Sequence, residues 1–400
     1  MKILQLCLKP PLPAKDGGCI AMNNITQGLL AAGHSVKILT IFTQKHDFDP
    51  DSLPKEYLDQ TGIEGVYIDT TLNAVDAFAN LMTADSYNIS RFFSTDYDIK
   101  LANLLRREKF DIIHLESLFM TPYIGTIHRY GQRTPVVLRS HNLEYVIWEK
   151  IAQGTKSIIK RTYLNYLAKK LREYELRLLN EVGGIAAISE EDRKRFIAHG
   201  VTRKIVTIPF GLDLAQYSQP APKEPELALF HLGAMDWGPN LEGIQWFLSN
   251  IWPRIHERFP QLKLYLAGRN MDKNAFEGNH PNVEFIGEVD NAIAFIQSKA
   301  IMVVPLLSGG GIRVKIIEGL ALGRAIVSTT LGAEGINCTH GKNILLADTT
   351  EQWVECIGKL MDEQYRKQLS DAGRKHAEEH FDNKVITQNL IAFYNELIQK

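Results

Sequence analysis

The chain has 400 residues, 45% of them hydrophobic, with 45 Lys and Arg set against 46 Asp and Glu. That length suits two domains better than a single core, at roughly 100–200 residues per domain. The near-neutral balance gives no general electrostatic reason for a nucleic-acid partner, and that class is set aside.

In chain order, residues 2–8 read as a strand that soon meets Pro10, Pro11 and Pro13, too short an apolar run for a signal-peptide core. A glycine loop over 16–19, a helix over 21–32 closed by Gly33 and a strand over 35–42 complete a βαβ opening. A less regular region runs to about 96. A helix through Arg107, a strand over 111–115, a helix over 122–130 and a strand over 135–139 continue the alternation, which argues for a parallel sheet covered on both faces. A long helix over 158–180 and strands over 184–188 and 204–208 follow. The segment 216–226, with Pro220, Pro222 and Pro225 among polar residues, is the candidate linker.

A second series begins beyond it, with strands over 227–232, 262–267, 283–286 and 301–306 and helices from 240 and over 291–298. Strands over 325–329 and 343–346 and a helical tail from 350 complete it. The longest apolar stretch, 301–307, is far below the ~20 residues of a spanning helix, so nothing is expected to cross a bilayer and the chain is expected in the cytoplasm. Cys7, Cys19, Cys338 and Cys356 show no C-x-x-C spacing, so neither a zinc site nor a disulfide framework is signalled and buried free thiols are expected. Two doubly wound domains imply a cleft, with ligands beyond the carboxyl ends of the strands.

One such end carries the densest chemistry in the chain, VVPLLSGGGIRVKIIEGLALGRAIVSTTLGAEGI over 303–336. Gly309, Gly310 and Gly311 let a ligand approach the backbone, and a helix opening near Gly311 would aim its positive end at an anion. Arg313 would lie in the first turn and, with Lys315, could neutralise a diphosphate. Lys315 and Glu318 share a face, and the Glu318 carboxylate could accept hydrogen bonds from vicinal hydroxyls such as those of a ribose. The competing reading of that pair is an intrahelical ion pair on a solvated surface. A smaller signal is Gly17-Gly18, which lacks the G-x-G-x-x-G spacing of a dinucleotide fingerprint. It reads either as a backbone approach to the same ligand or as a tight turn.

Four passages together resemble the retaining glycosyltransferases of family 4: Gly17-Gly18 with Gly33-His34-Ser35-Val36; Arg139-Ser140-His141-Asn142-Leu143-Glu144; Ile208-Pro209-Phe210-Gly211-Leu212-Asp213; and Gly309 through Gly335. Asp236-Trp237-Gly238-Pro239-Asn240 and Asp111 through Ser117 make the chain most similar to exopolysaccharide-type sugar transferases. The resemblance implies the GT-B architecture, α/β, with two Rossmann-like domains facing across a cleft. The acceptor domain would span 1–213 and the donor domain 214–380, with a helix over 381–400 packing back on the first domain. Glu318 matches the second Glu of the E-x7-E motif that binds the nucleotide ribose. Gly310 stands where the first Glu is expected, which puts sugar selectivity, and transfer itself, in question. The Arg and Lys often found after Gly233 are replaced by Ala234-Met235-Asp236-Trp237, and Arg313 with Lys315 are the natural substitutes.

On this resemblance the catalytic residues are His141, which faces donor sugar and phosphate, with Arg313, Lys315 and Glu318. Gly17, Gly18, Gly309 through Ile312, Gly287 and Val289 would hold the donor. Glu116, Asn142, Tyr87 and Arg91 would meet the acceptor, with Glu116 alternatively capping a helix. The donor is a nucleotide-diphosphate sugar and the acceptor a glycan or lipid-linked hydroxyl. Neither a cofactor nor a metal is expected, since no D-x-D stands at a strand end. Lys160, Arg161, Lys169, Lys170 and Arg172 could touch an anionic membrane at its inner face, while Glu173 and Glu175 among them argue for a solvated face. The competing functions are a sugar-nucleotide-binding protein without transfer activity and a GT-B epimerase or phosphorylase.

Overall fold

The computed structural model describes residues 1–14, 16–69, 89, 91–140, 143–155, 157–217, 224–272, 275–276, 278, 280–309 and 312–399. Met1–Gly211 and Ile386–Lys400 form one unit, and Leu212–Val385 form another. The division falls a few residues ahead of the proline-rich segment expected to be the linker, of which 218–223 lie outside the described residues.

The first unit is built on seven strands: β1 (Lys2–Cys7), β2 (Ser35–Phe42), β3 (Glu64–Tyr67), β4 (Ile112–Leu115), β5 (Val136–Ser140), β6 (Gly184–Ala187) and β7 (Lys204–Thr207). They pair in parallel in the order β3-β2-β1-β4-β5-β6-β7. The central strands β4, β5 and β6 are buried throughout, which is why they read as short apolar runs, broken by His114, Arg139 and Ser140, rather than as alternating ones. Among the described residues, seven α-helices of this part precede the second unit: α1 (Gly17–Ala31), α2 (Lys55–Thr61), α3 (Thr95–Arg107), α4 (Ile124–Tyr130), α5 (Glu144–Gly154), α6 (Ile158–Leu179) and α7 (Glu190–Ala198). Helix α1 starts at Gly17, with Asp16 as its cap accepting from the Cys19 amide at 3.0 Å. The expected glycine loop over 16–19 is therefore corrected: a strong Asp cap recruits both glycines into the first turn despite their low helix propensity.

The second unit has β8 (Glu226–Leu232), β9 (Leu264–Ala267), β10 (Val283–Gly287), β11 (Lys299–Val304), β12 (Ala325–Ser328) and β13 (Leu345–Leu346), ordered β10-β9-β8-β11-β12-β13 and parallel. Its helices are α8 (Gly238–Trp246), α9 (Trp252–Arg258), α10 (Ala292–Gln297), α11 (Val314–Ala321), α12 (Thr350–Leu360) and α13 (Glu363–Phe381). In each unit the strand order reverses beside the first strand, between β1 and β4 and between β8 and β11. Loops leaving such a pair diverge to opposite faces and leave a crevice at the strand ends.

The last helix, α14 (Asn383–Ile398), leaves the second unit and completes the first. Its Ile386, Leu390, Phe393, Tyr394 and Leu397 join Ile3, Cys7, Met22 and Ile25 in one core cluster. Gly184 opens β6 because a Cβ there would run into the Phe393 ring. Tyr394 also shares a hydrogen bond of 2.6 Å with His114 Nδ1 on β4. Of the four free cysteines, Cys7, Cys19 and Cys356 are buried and Cys338 is half-buried.

Candidate active site

The reversal point of the second unit gathers the charged residues of the glycine segment. Helix α8 comes close to the end of β11 because Gly243 has no Cβ, which would overlap the Pro305 carbonyl. The loop beyond is pinned by Thr329, whose hydroxyl donates to Leu306 O at 2.6 Å, and by Ser308, which donates to Glu242 at 2.6 Å. Gly309, at φ +101°, brings the chain against Trp237 and Pro239. Helix α11 then opens at Val314 with Arg313 as its cap residue. The start expected near Gly311 is thus corrected by about one turn, and Arg313 stands ahead of the first turn rather than in it.

Arg313 is 4% exposed, donates to the Gly309 carbonyl at 3.1 Å and holds its guanidinium 5.8 Å over the Trp237 ring. Lys315 donates to Asn240 Oδ1 at 2.8 Å and lies 3.3 Å from His231 Nε2. His231, fully buried on β8, donates from Nδ1 to Val303 O at 2.9 Å, which leaves Nε2 as a lone pair for the ammonium. Asn240 in turn donates to Ala234 O at 2.8 Å. Glu318 accepts from the Tyr217 hydroxyl at 3.0 Å. Lys315 and Glu318 therefore make their hydrogen bonds elsewhere, which corrects the surface ion-pair reading of this half-buried pair.

Burial, and then the nearby Arg313 charge, push the Lys315 ammonium down to about 7, against the opposing pull of Glu318. The site thus contains a lysine whose charge an arriving anion would restore. Burial also drives His231 well below the usual histidine range, with Lys315 adding to the effect, so it stays neutral. Glu318 is raised by burial, and the Tyr217 hydrogen bond and Lys315 oppose the rise. Both cations lean onto the 233–239 loop, the loop whose sequence lacks Arg and Lys.

The adjoining strand ends are bare. Gly233 follows β8, Gly268 follows β9 and Gly287 ends β10. A Cβ on Gly233 would overlap the Lys315 ammonium, and one on Gly268 would overlap the Gly233 carbonyl. Gly268 donates to the Gly287 carbonyl at 2.7 Å. These contacts connect Gly287 through Gly268 and Gly233 to Lys315, a shelf of three glycines that leads to the lysine. Val289, half-buried, follows two residues after Gly287. Ile312 is half-buried beside Arg313, while Gly310 and Gly311 lie outside the described residues.

In the first unit the expected residues separate. Gly18 packs against Lys9 and Asp16. Lys9 binds both Asp16 oxygens at 2.7 and 2.6 Å, and His46 Nε2 reaches Asp16 at 3.0 Å. Burial would raise the Asp16 carboxyl, but the Lys9, Cys19 and His46 interactions outweigh it and hold the group well below the usual carboxylate range. Among the described residues, Asp16, Cys19 and His46 are the group close enough to share an ion, and the Lys9 ammonium already supplies the positive charge there. Glu116 is enclosed, 1% exposed, accepting from Gln5 at 2.7 Å and paired with Arg139 at 3.2 Å and His114 at 3.3 Å. It neither caps a helix, a task that Ser117 performs for the 3-10 turn Leu118–Tyr123, nor presents its carboxylate to an acceptor. Arg91 is half-buried with its guanidinium 4.8 Å over Phe92. Tyr87, His141 and Asn142 lie outside the described residues. Beyond 141–142, Glu175 of α6 caps α5 by accepting from the amides of Glu144 at 3.3 Å and Tyr145 at 3.2 Å.

His231, Asn240, Tyr217 and the glycines at 233 and 268 were not among the expected site residues. Asn240 and Trp237 carried a signal, the polar and aromatic run at 236–240 directly after a strand. His231 had none, being a single polar residue inside an apolar strand.

Comparison with known proteins bears on the family and the fold. Residues 17–216 match the family model described as Glycosyltransferase Family 4, and residues 226–363 match Glycosyl transferases group 1. An uncharacterised 44.6 kDa protein in the cps region of Klebsiella pneumoniae is 23% identical over 359 residues, 87% of each chain. Phosphatidyl-myo-inositol mannosyltransferase of Mycolicibacterium smegmatis is 23% identical over 280 residues, 67% of this chain and 66% of that protein. The crystal structure of Anabaena HepE in complex with UDP and glucose superposes with a TM-score of 0.66 at 14% identity, covering 99% of both chains, a likeness of fold. The chain belongs to the family 4 glycosyltransferases and has the two Rossmann-like domains of their GT-B fold.

Proposed function

We propose that this glycosyltransferase moves a sugar, with retention of configuration and without a metal, from a nucleoside diphosphate sugar to a glycan or lipid-linked hydroxyl. The observation that carries this reading is the pairing of Arg313 and Lys315 at the head of α11 with Glu318 one turn further on. As the glycosidic bond breaks, negative charge grows on the departing diphosphate, and two fixed cations beside a bare glycine shelf stabilise it without reorganisation. Arg313 offers a planar fork for phosphate oxygens, and Lys315 becomes fully charged as the dianion arrives. Glu318 is placed to bind ribose. The Tyr217 hydroxyl already donates to it as a sugar hydroxyl would, and ligand entry exchanges one donor for another. In a retaining reaction the leaving phosphate takes the proton of the incoming hydroxyl on the same face, so no carboxylate nucleophile is required. His141 is assigned to the donor sugar, and Asn142, Tyr87 and Arg91 to the acceptor side.

HepE was crystallised with UDP and glucose, and the mycobacterial relative is named for transfer to a phosphoinositide lipid. The first supports a nucleotide-sugar donor, and the second supports a lipid acceptor. Among the described residues no helix is long and apolar enough to cross a membrane, so such an acceptor would be met at the bilayer surface.

The test is transfer from radiolabelled nucleotide sugars to membrane lipid and glycan fractions, with product anomers read by NMR. Transfer should fall by about 100-fold or more in Arg313→Ala, the cost of removing a transition-state charge partner, and fall strongly in Glu318→Ala. An inverted anomer refutes retention. Nucleotide-sugar binding with no transfer or hydrolysis in any fraction refutes the enzyme reading.

A further inference from the structure

We infer that the tip of the α5–α6 hairpin is a docking element for anionic phospholipid bilayers. Ile159 and Ile158 are 85% and 70% exposed, the two most exposed large apolar side chains among the described residues, and they stand side by side at the start of α6. Ile151, in the last turn of α5, is a third exposed apolar residue at the same end. Single exposed apolar residues are ordinary, but adjacent isoleucines turned almost wholly to water at a helix start call for a covering partner.

Charge complementarity identifies that partner. From Lys150 to Arg172 the sequence carries seven Lys and Arg and no Asp or Glu, in a chain whose charges otherwise balance. Lys150, Lys160 and Arg161 are exposed and lie within a few residues of the hairpin's turn, and Lys169 is exposed about three turns further along α6. The acids that argued for an ordinary solvated face lie further along, and Glu175 is turned fully inward to cap α5. Apolar wedges ringed by cations fit the interface of an anionic membrane, where isoleucines enter the acyl boundary and basic side chains reach phosphates.

This inference deepens the lipid-linked acceptor reading and rests on it for its purpose, but it is tested without donor or acceptor. The full chain is sedimented with vesicles of phosphatidylcholine alone and with about 30% phosphatidylglycerol, a charge density at which basic clusters partition. The expected result is binding to the anionic vesicles only, weakened as salt rises. Ile158→Ser/Ile159→Ser should lower it at least about tenfold, and Lys160→Glu/Arg161→Glu at least about 25-fold, near fivefold per charge. Both variants alter exposed side chains, and unchanged melting and nucleotide-sugar binding would establish that they fold. No binding to anionic vesicles, or binding indifferent to both variants, overturns the inference. So does a dimer in sedimentation equilibrium that Ile158→Ser/Ile159→Ser dissolves, since a second copy would then cover the tip. A chain that transfers sugar yet ignores vesicles defeats this inference alone, and one that binds vesicles yet transfers nothing defeats only the transferase reading.

Discussion

Lys315 offers the sharpest test of the proposed donor site. In the empty site burial and Arg313 bring the ammonium to about 7 from an ordinary 10.5, so its charged form is disfavoured by on the order of 5 kcal/mol. A nucleotide sugar keeps its two phosphate charges fixed from pH 6 to 8.5, because both phosphates are esterified. If binding requires the charged lysine, affinity is near its plateau at pH 6. It falls about tenfold by pH 8, or about 1.4 kcal/mol, and then by close to tenfold for each further pH unit. Calorimetry in buffers of different ionisation enthalpy should show uptake of nearly one proton at pH 8.5. The groups facing Lys315 fix the controls. His231 is already neutral, Arg313 stays charged, and Glu318, raised by burial, would lose affinity as pH falls, the opposite sign. Lys315→Met should therefore bind weakly at every pH and lose the alkaline decline. Without ligand, the folded second unit should become less stable as pH drops from about 10 toward 7, because the unfolded chain takes the proton that the folded site resists. Wild-type affinity flat from pH 6 to 8.5, or an unchanged slope in Lys315→Met, would refute the account of a lysine charged by its ligand.

Two further outcomes concern the framework. Gly268→Ala should destabilise the second unit by about 2–4 kcal/mol in urea melts, since its Cβ meets the Gly233 carbonyl, whereas Gly287→Ala, with φ +81° but open space around it, should cost only about 1 kcal/mol. Equal losses would mean that the close backbone approach is unimportant. In the first unit, Arg139→Met should cost about 3–5 kcal/mol by leaving Glu116 buried and uncompensated, and adding Glu116→Gln should recover most of it. Simple additivity of the two would dismiss the pair as a coupled unit.

Much of the architecture was legible because buried parallel strands announce themselves as short Ile- and Val-rich runs. The strand expected over 35–42 is β2 to the residue, and β8 and β11 lie within two residues of their expected bounds. Helix starts were harder. At Gly17 a side-chain cap overrode glycine propensity, and at Arg313 the loop ran on past the glycines to reach Trp237. Arg313, Lys315 and Glu318 stood out as candidates from their place beside the glycine run, but not the partners that set their chemistry. His231 and Tyr217 come from segments 84 and 101 residues from Lys315 and Glu318, respectively, and only the fold brings them together. Glu116 misled for the same reason. A carboxylate at a strand end looks available until Gln5 and Arg139 from the neighbouring strands and His114 from its own close around it.

Helix α14 imposes an order of events on the growing polypeptide. Residues 1–211 emerge from the ribosome with a hydrophobic gap where Ile386, Leu390, Phe393, Tyr394 and Leu397 belong, and His114 waits without its phenol. Translation of the whole second unit intervenes before that gap can close. During the interval the early half is a candidate for chaperone capture, and a message cut short near codon 385 would yield a normal second unit beside an unfinished neighbour.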